Sequence, residues 1–285
     1  MRWLPILGLG LLLVMVDTPL TRPARAAAGE APAGPLVFAG SGSNLPLTRL
    51  LADAFARVRP ESKIEVPASI GSAGGIRAAA DGAIAVGLIS RPLKDREKES
   101  GLTVLPYART AVVIGVHPAV PDDGISFVDL VQIYKGTKSR WKDGREIIVL
   151  TREAGDSSIE VLERDIPGFK QAYAESRSVK RWATLLTDQE MNRVLARTPY
   201  AIGLSDMGAI TAERLPIKVL RIDGVLPTPE NVLSGRYPLV KALAFAFLKD
   251  KLPAGAKAFL DFVRSKDGEK ILRANARAFF GLSSP

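Results

Sequence analysis

The chain has 285 residues, with 39 Lys and Arg against 30 Asp and Glu, one histidine and no cysteine, for a formal charge of +9. Those counts exclude disulfides, thiolate metal sites, a Cys–His nucleophile pair and a cysteine-borne lipid anchor. A hydrophobic content of 47 % is enough to bury a large core. The basic balance attracts anions, and the cations are dispersed rather than interleaved with aromatics as base stacking requires.

Met1-Arg2-Trp3 is a short basic start, Leu4 to Val16 an apolar stretch and Ala24-Arg25-Ala26 a small-x-small cleavage site. The apolar run falls short of the roughly 20 residues that cross a bilayer. Residues 1–26 are therefore expected to be a signal peptide cleaved near Ala26, followed by a loose leader over 27–35, and the product is expected in the periplasm.

From Leu36 onward short apolar strands alternate with amphipathic helices. Leu36-Val37-Phe38-Ala39 predicts a strand, and Leu47, Leu50, Leu51, Ala54, Phe55 and Val58 repeat at helical spacing behind Pro46. Lys63 to Val66 predicts a strand, Ile76 to Ala80 a short helix, and Ile84 to Ile89 a buried strand. This βαβα order implies a mainly parallel sheet flanked by helices. Thr110 to Val116 predicts a strand leaving a first lobe.

A second unit follows, with a helix near Ser126 to Tyr134, a strand over Glu146 to Leu150 and a helix near Ser157 to Arg164. Asp188 to Arg197 predicts a helix, with strands at Tyr200 to Leu204 and Lys218 to Ile222. Pro227 to Tyr237 is proline-rich and crosses back to a strand over Lys241 to Leu248. Ala256, Phe259, Leu260, Val263 and Ile271-Leu272 mark C-terminal helices.

Three Gly/Ser-rich loops run into helices: Gly40-Ser41-Gly42-Ser43-Asn44-Leu45-Pro46, Ser69-Ile70-Gly71-Ser72-Ala73-Gly74-Gly75 and Arg152-Glu153-Ala154-Gly155-Asp156-Ser157-Ser158. A helix start exposes unpaired N–H groups and the positive end of its dipole, and small residues let an anion approach. Any one loop is accounted for by tight turns and helix caps. The three together, beside Arg152 with its planar fork of donors, point to a cage for a small oxyanion. Ser41, Ser43 and Ser69 are expected to hold the loops. Catalytic chemistry is poorly supplied: His117 lies between Val116 and Pro118, no G-x-S-x-G elbow occurs, and Asp122-Asp123-Gly124 reads as a turn.

The chain resembles the phosphate-binding proteins of ABC transporters, a branch of the type 2 periplasmic solute-binding fold. The resemblance runs from Leu36 to Ala278. Beyond the three loops it rests on Ile84 to Leu93, Leu130 to Gly136 with Trp141, Ala201 to Leu204, Gly235-Arg236-Tyr237-Pro238-Leu239 and Phe259 to Gly268. It implies an α/β fold of two lobes, each a mainly parallel sheet flanked by helices, joined by two crossing hinge strands. Lobe 1 would cover 36–116 and 223–285, and lobe 2 would cover 117–222 with both Trp141 and Trp182.

The resemblance also implies a ligand set of Asn44, Leu45, Ser72, Ser90 with Arg91, Arg152, Asp156, Ser157 and Ser158. No catalytic residue, metal or cofactor is expected. The implied partners are a small oxyanion, phosphate first, and an ABC transporter permease, with no nucleic acid and a monomeric chain. Two departures stand out: Asn44 replaces a common threonine, and Asp156-Ser157-Ser158 replaces Ser-Gly-Thr. Asp156 either accepts a proton from hydrogen phosphate, which sulfate lacks, or only caps the helix at Ser157. The rival reading keeps the fold but gives it altered or lost anion specificity, as a sensor or interaction module.

Overall fold

The computed structural model describes residues 35–275 and 280–281. The expected signal peptide and nearly all of the leader lie outside the described residues. Among the described residues no helix is long and apolar enough to cross a membrane.

The first segment comprises β1 (Leu36–Gly40), a 3-10 turn (Gly42–Asn44), α1 (Leu45–Val58), β2 (Ile64–Glu65), α2 (Gly71–Ala80), β3 (Val86–Ile89), α3 (Asp95–Lys98) and β4 (Thr103–Val116). Next come β5 (Gly124–Ile125), α4 (Phe127–Lys135), β6 (Ile148–Arg152), α5 (Ser157–Asp165), α6 (Phe169–Ser178), β7 (Ala183–Leu185) and α7 (Asp188–Leu195). They are followed by β8 (Ala201–Asp206), α8 (Met207–Ala212), β9 (Lys218–Val219), β10 (Arg221–Ile222) and α9 (Pro229–Leu233). The chain closes with β11 (Val240–Phe247), a 3-10 turn (Lys249–Lys251), α10 (Ala254–Val263), α11 (Lys266–Ala274) and β12 (Phe280–Gly281).

One ten-stranded sheet runs through β4, and its two arms repeat one pattern. The first runs β2-β1-β3-β11-β4 and the second β7-β6-β8-β4-β9. In each, the three outer strands are parallel and the last two joins are antiparallel. The early half of β4 pairs with β11, from Thr103 opposite Phe247 to Ala111 opposite Val240, and its late half pairs with β8, from Val112 opposite Asp206 to Val116 opposite Ile202. This is the two-lobed fold expected from sequence.

The predicted strand at Thr110 begins seven residues earlier, at Thr103. Pro106 hides that half of the strand in the sequence, because proline carries no N–H for a ladder. The structure accommodates it at a register shift opposite Leu243 and Ala244.

The two cores divide β4 between them. Tyr107 and Ala108 pack with Phe38, Phe55, Phe245 and Phe259, where Tyr107 stacks on Phe245 at 4.1 Å between centroids. Ala111 to Ile114 and Val116 pack instead with Tyr134, Trp141, Phe169 and Tyr173, and Val232, Tyr237 and Leu239 join that second core. Trp141 and Trp182 both pack there, donating to the carbonyls of Tyr200 and Tyr134.

Local chemistry sets the helix ends. Ser126 caps α4 by accepting from Asp129 N–H, and Gly136 ends it at φ 77°. α1 buries Leu47, Leu51 and Phe55 on one face, each contributing about 1.5–3 kcal/mol. α2 lies close on its sheet because Gly75 faces β1, where a Cβ would come within 2.9 Å of the Ala39 carbonyl. That contact brings Ser72 toward the end of β3.

The return crossing is tied to β4 by Val112 N–H donating to the Leu239 carbonyl at 2.8 Å and by buried Tyr237 Oη donating to the Val112 carbonyl at 2.7 Å. Tyr237→Phe removes the second bond while keeping the ring. It is expected to lower the unfolding free energy by about 1 kcal/mol in urea denaturation, and an unchanged value would contradict the role assigned to that bond.

Candidate anion-binding cleft

The loops that the sequence singles out meet at the carboxyl ends of β1, β3 and β6, the side of an α/β sheet where ligands sit. Their centre is Ser90, buried just past β3. Its hydroxyl lies 2.6 Å from Ser41 Oγ and 3.4 Å from Ser72 Oγ, and it donates to Ser157 Oγ at 2.8 Å. Its backbone N–H donates to Ser72 Oγ at 3.2 Å. Ser41, Ser72 and Ser90 come from the first lobe and Ser157 from the second, so a cluster of hydroxyls bridges the two.

Arg152 ends β6, with its side chain 4 % exposed. Its Nε and Nη2 donate to Asp156 Oδ2 at 3.1 and 2.9 Å, and Nη1 donates to the Leu185 carbonyl at 3.0 Å. Nη2 also lies 3.8 Å from Asp188 Oδ2. Asp156 Oδ1 meanwhile accepts from Ser158 and Ile159 N–H at 2.9 and 3.3 Å. Both oxygens of Asp156 are therefore engaged, as the cap of α5 and as the anchor of Arg152. Asp156 caps the helix as one of its two expected roles had it, and it also anchors Arg152, which neither expectation included.

Arg91 pairs bidentately with Glu97, through Nη1 at 2.7 Å and Nη2 at 2.8 Å. This bond holds the Glu97 carboxyl below its usual range. Arg91 Nε is 3.8 Å from Glu160 of α5, and Lys94 Nζ reaches Glu160 at 2.8 Å, giving two charged contacts between the lobes. A cavity of about 320 Å³ lies beside the hydroxyl cluster, lined among others by Ser72, Arg77, Lys94, Arg96, Arg152 and Asp188.

Asn44 and Leu45 are not brought to this cleft. Asn44 is fully buried, and its Nδ2 is directed at the carbonyls of Ile89 and Ala244 and at Tyr107 Oη. Its backbone N–H donates to Ser41 O, that of Leu45 donates to Gly42 O, and the Leu45 side chain lies in the first core. The 3-10 turn thus spends the Asn44 and Leu45 amides internally. Ser69 holds the second loop, donating to Gly40 O and accepting from Gly71 N–H. His117 Nδ1 accepts from Ala119 N–H in a turn.

A family model for the PBP superfamily domain matches residues 25–267. The chain belongs to the PBP superfamily. Among curated relatives it is 28 % identical over 252 residues to the phosphate-binding protein PstS of Bacillus subtilis, an alignment that covers 85 % of this chain and 79 % of that one. A solved substrate-binding protein assigned to a phosphate ABC transporter of Clostridium perfringens, with bound phosphate, superposes with a TM-score of 0.77 at 24 % identity, over 87 % of this chain and 99 % of that one. An ABC-type phosphate transport receptor from Vibrio cholerae gives 0.61 at 21 %, over 84 % and 98 %. At these identities the structural likenesses establish a shared fold.

Within this PBP fold the structure adds charged residues that sequence reasoning missed. Asp188 opens α7 and packs onto Gly42 of the first lobe, where a Cβ would come within 2.1 Å of its Oδ2. Lys241 and Asp206, both buried, pair at 3.0 Å behind the third loop. Each of these two had a signal in the sequence: a lone charge within or closing an apolar strand, a position that charged residues rarely occupy unpaired.

Burial pushes the Asp188 carboxyl up to about 6, and its neighbours Asp156 and Asp206 add to this against the pull of Arg152 and Lys241. Its pKa is higher folded than unfolded, so its contribution to stability is full below about pH 4 and is lost as pH rises through 6, by about 3 kcal/mol in all. Asp188→Asn removes that loss. Urea denaturation is expected to show the variant gaining about 2 kcal/mol on the wild type between pH 4 and pH 7, and a constant difference across that range would contradict the assignment.

Proposed function

We propose that this chain is an exported, non-enzymatic solute receptor that captures a small oxyanion, phosphate first, between its lobes for an ABC transporter. The observation that carries this reading is the buried cluster of Ser41, Ser72, Ser90 and Ser157, drawn from both lobes and set beside a cavity lined by five cationic and four acidic side chains. Hydroxyls and helix N–H groups are the donors an oxyanion needs, and a ligand that touches both lobes favours the arrangement in which they meet. The names of the relatives, phosphate-binding and phosphate-transport proteins, agree with that chemistry.

In this reading Ser72, Ser157 and Ser158 donate hydroxyl protons to the anion, while Ser41 and Ser90, whose protons are spent along the chain Ser41–Ser90–Ser157, set the direction of the Ser157 hydroxyl. Arg152 supplies positive charge from a fixed position, clamped by Asp156. Arg91 holds the lobe contact through Glu97 and Glu160. Asn44 and Leu45 shape the first loop without touching the ligand. Asp188 is the carboxylate left to accept a ligand proton, because Asp156 has none of its oxygens to spare. Phosphate carries such a proton at neutral pH and sulfate does not, so Asp188 favours phosphate.

Titration calorimetry of the ligand-stripped mature protein with phosphate, sulfate, arsenate, molybdate and tungstate tests this. The expected outcome is micromolar or tighter phosphate binding with sulfate rejected. Ser157→Ala should weaken phosphate about tenfold, and Asp188→Asn should narrow the preference for phosphate over sulfate. Absence of binding to every oxyanion would overturn the reading in favour of a sensor or interaction module built on the same fold.

A further inference from the structure

Among the described residues Lys241 is the one lysine classed as buried, and it lies at the point where the lobes join. On β11 it stands opposite Thr110 of β4, while Asp206 on β8 stands opposite Val112 of the same strand. The pair closes over the shared strand at 3.0 Å, with each side chain 2 % exposed. A buried ion pair returns little net stability after desolvation, so its other contacts are informative. Lys241 Nζ donates to Ser158 Oγ at 2.8 Å and to Ser157 Oγ at 3.4 Å.

An ammonium has three N–H donors and no lone pair, whereas a serine hydroxyl has one proton and two lone pairs. Ser157 Oγ accepts from Ser90 at 2.8 Å and from Lys241 at 3.4 Å. Those two bonds fill its lone pairs and leave its proton to be donated. Ser158 Oγ likewise accepts from Lys241 and keeps its proton for another acceptor. Both hydroxyls are thereby turned into donors, the polarity that an oxyanion requires. The ammonium also stands behind the N-terminus of α5, where its charge adds to the helix dipole.

We infer that Lys241 is a positioning residue for anion capture: from the crossing between the lobes, held by Asp206, it fixes Ser157 and Ser158 as hydrogen-bond donors toward the ligand. This rests on the oxyanion-receptor reading above. It assigns the interlobe ion pair a part in affinity, although neither member touches the anion.

The test is phosphate calorimetry on the full mature chain. Lys241→Met with Asp206→Asn removes both charges together, so that neither is left buried alone, and is expected to weaken phosphate at least tenfold. Lys241→Arg keeps the charge and should restore most of the affinity. Ser158→Ala, made in the wild type and in the charge-free pair, reads the coupling: its effect should shrink from about tenfold to about twofold once Lys241 is gone. Thermal unfolding of each variant reports folding, and Lys241→Gln, a neutral donor, reads the same affinity if the paired variant does not fold. Affinity within twofold of wild type in the charge-free pair, or fold-losses that simply multiply, would overturn the inference alone. A wild type that binds no phosphate would overturn the receptor reading and this inference with it.

Discussion

Strand β4 joins both arms of one sheet, pairing with β11 along its early half and with β8 and β9 along its late half. Because a single strand serves both lobes, the loops at their strand ends face one another across one narrow region. The return crossing near Leu239 and Tyr237 is bonded to the same strand at Val112. The cleft, the hydroxyl cluster and the Lys241–Asp206 pair all lie within reach of that crossing. A sheet that ended within each lobe would leave the serines of the two lobes with no fixed relation.

Three of the cations around the cleft are held by carboxylates. Arg152 is anchored by Asp156, Arg91 by Glu97, and Lys94 by Glu160. A guanidinium that already has partners contributes charge from a fixed position and needs no ordering when an anion arrives. The groups with protons to give at the centre are hydroxyls, and Lys241 donates to two of them, Ser157 and Ser158.

Much of the fold was legible because periodicity is local. β1, α1, α4, β8 and β11 carry apolar residues at strand or helix spacing with caps and glycines at their ends. α6 escaped because its buried face is Phe169, Ala172, Tyr173 and Ser176 amid Lys, Gln and Glu, too thin a stripe to register. The first half of β4 escaped because of Pro106. The site divides in the same way. Gly/Ser composition marked the loops, but composition does not say which groups a loop spends on itself, as Asn44 and Leu45 do. Arg152 turns back on Asp156 through a turn in which Gly155 adopts φ 82°, a choice of partner that spacing alone leaves open. Lys241 and Asp206 are distant in sequence and meet only because β11 and β8 flank the same strand.

In the proposed receptor the anion sits where the two lobes exchange hydrogen bonds. A crystal structure of the mature protein grown with arsenate, located by its anomalous scattering, addresses that directly. One arsenic peak is expected in the cavity beside the Ser90–Ser157 contact, with Ser72, Ser157 and Ser158 within hydrogen-bonding distance of its oxygens. A peak elsewhere in the molecule, or none in a crystal whose protein binds arsenate in solution, would contradict it.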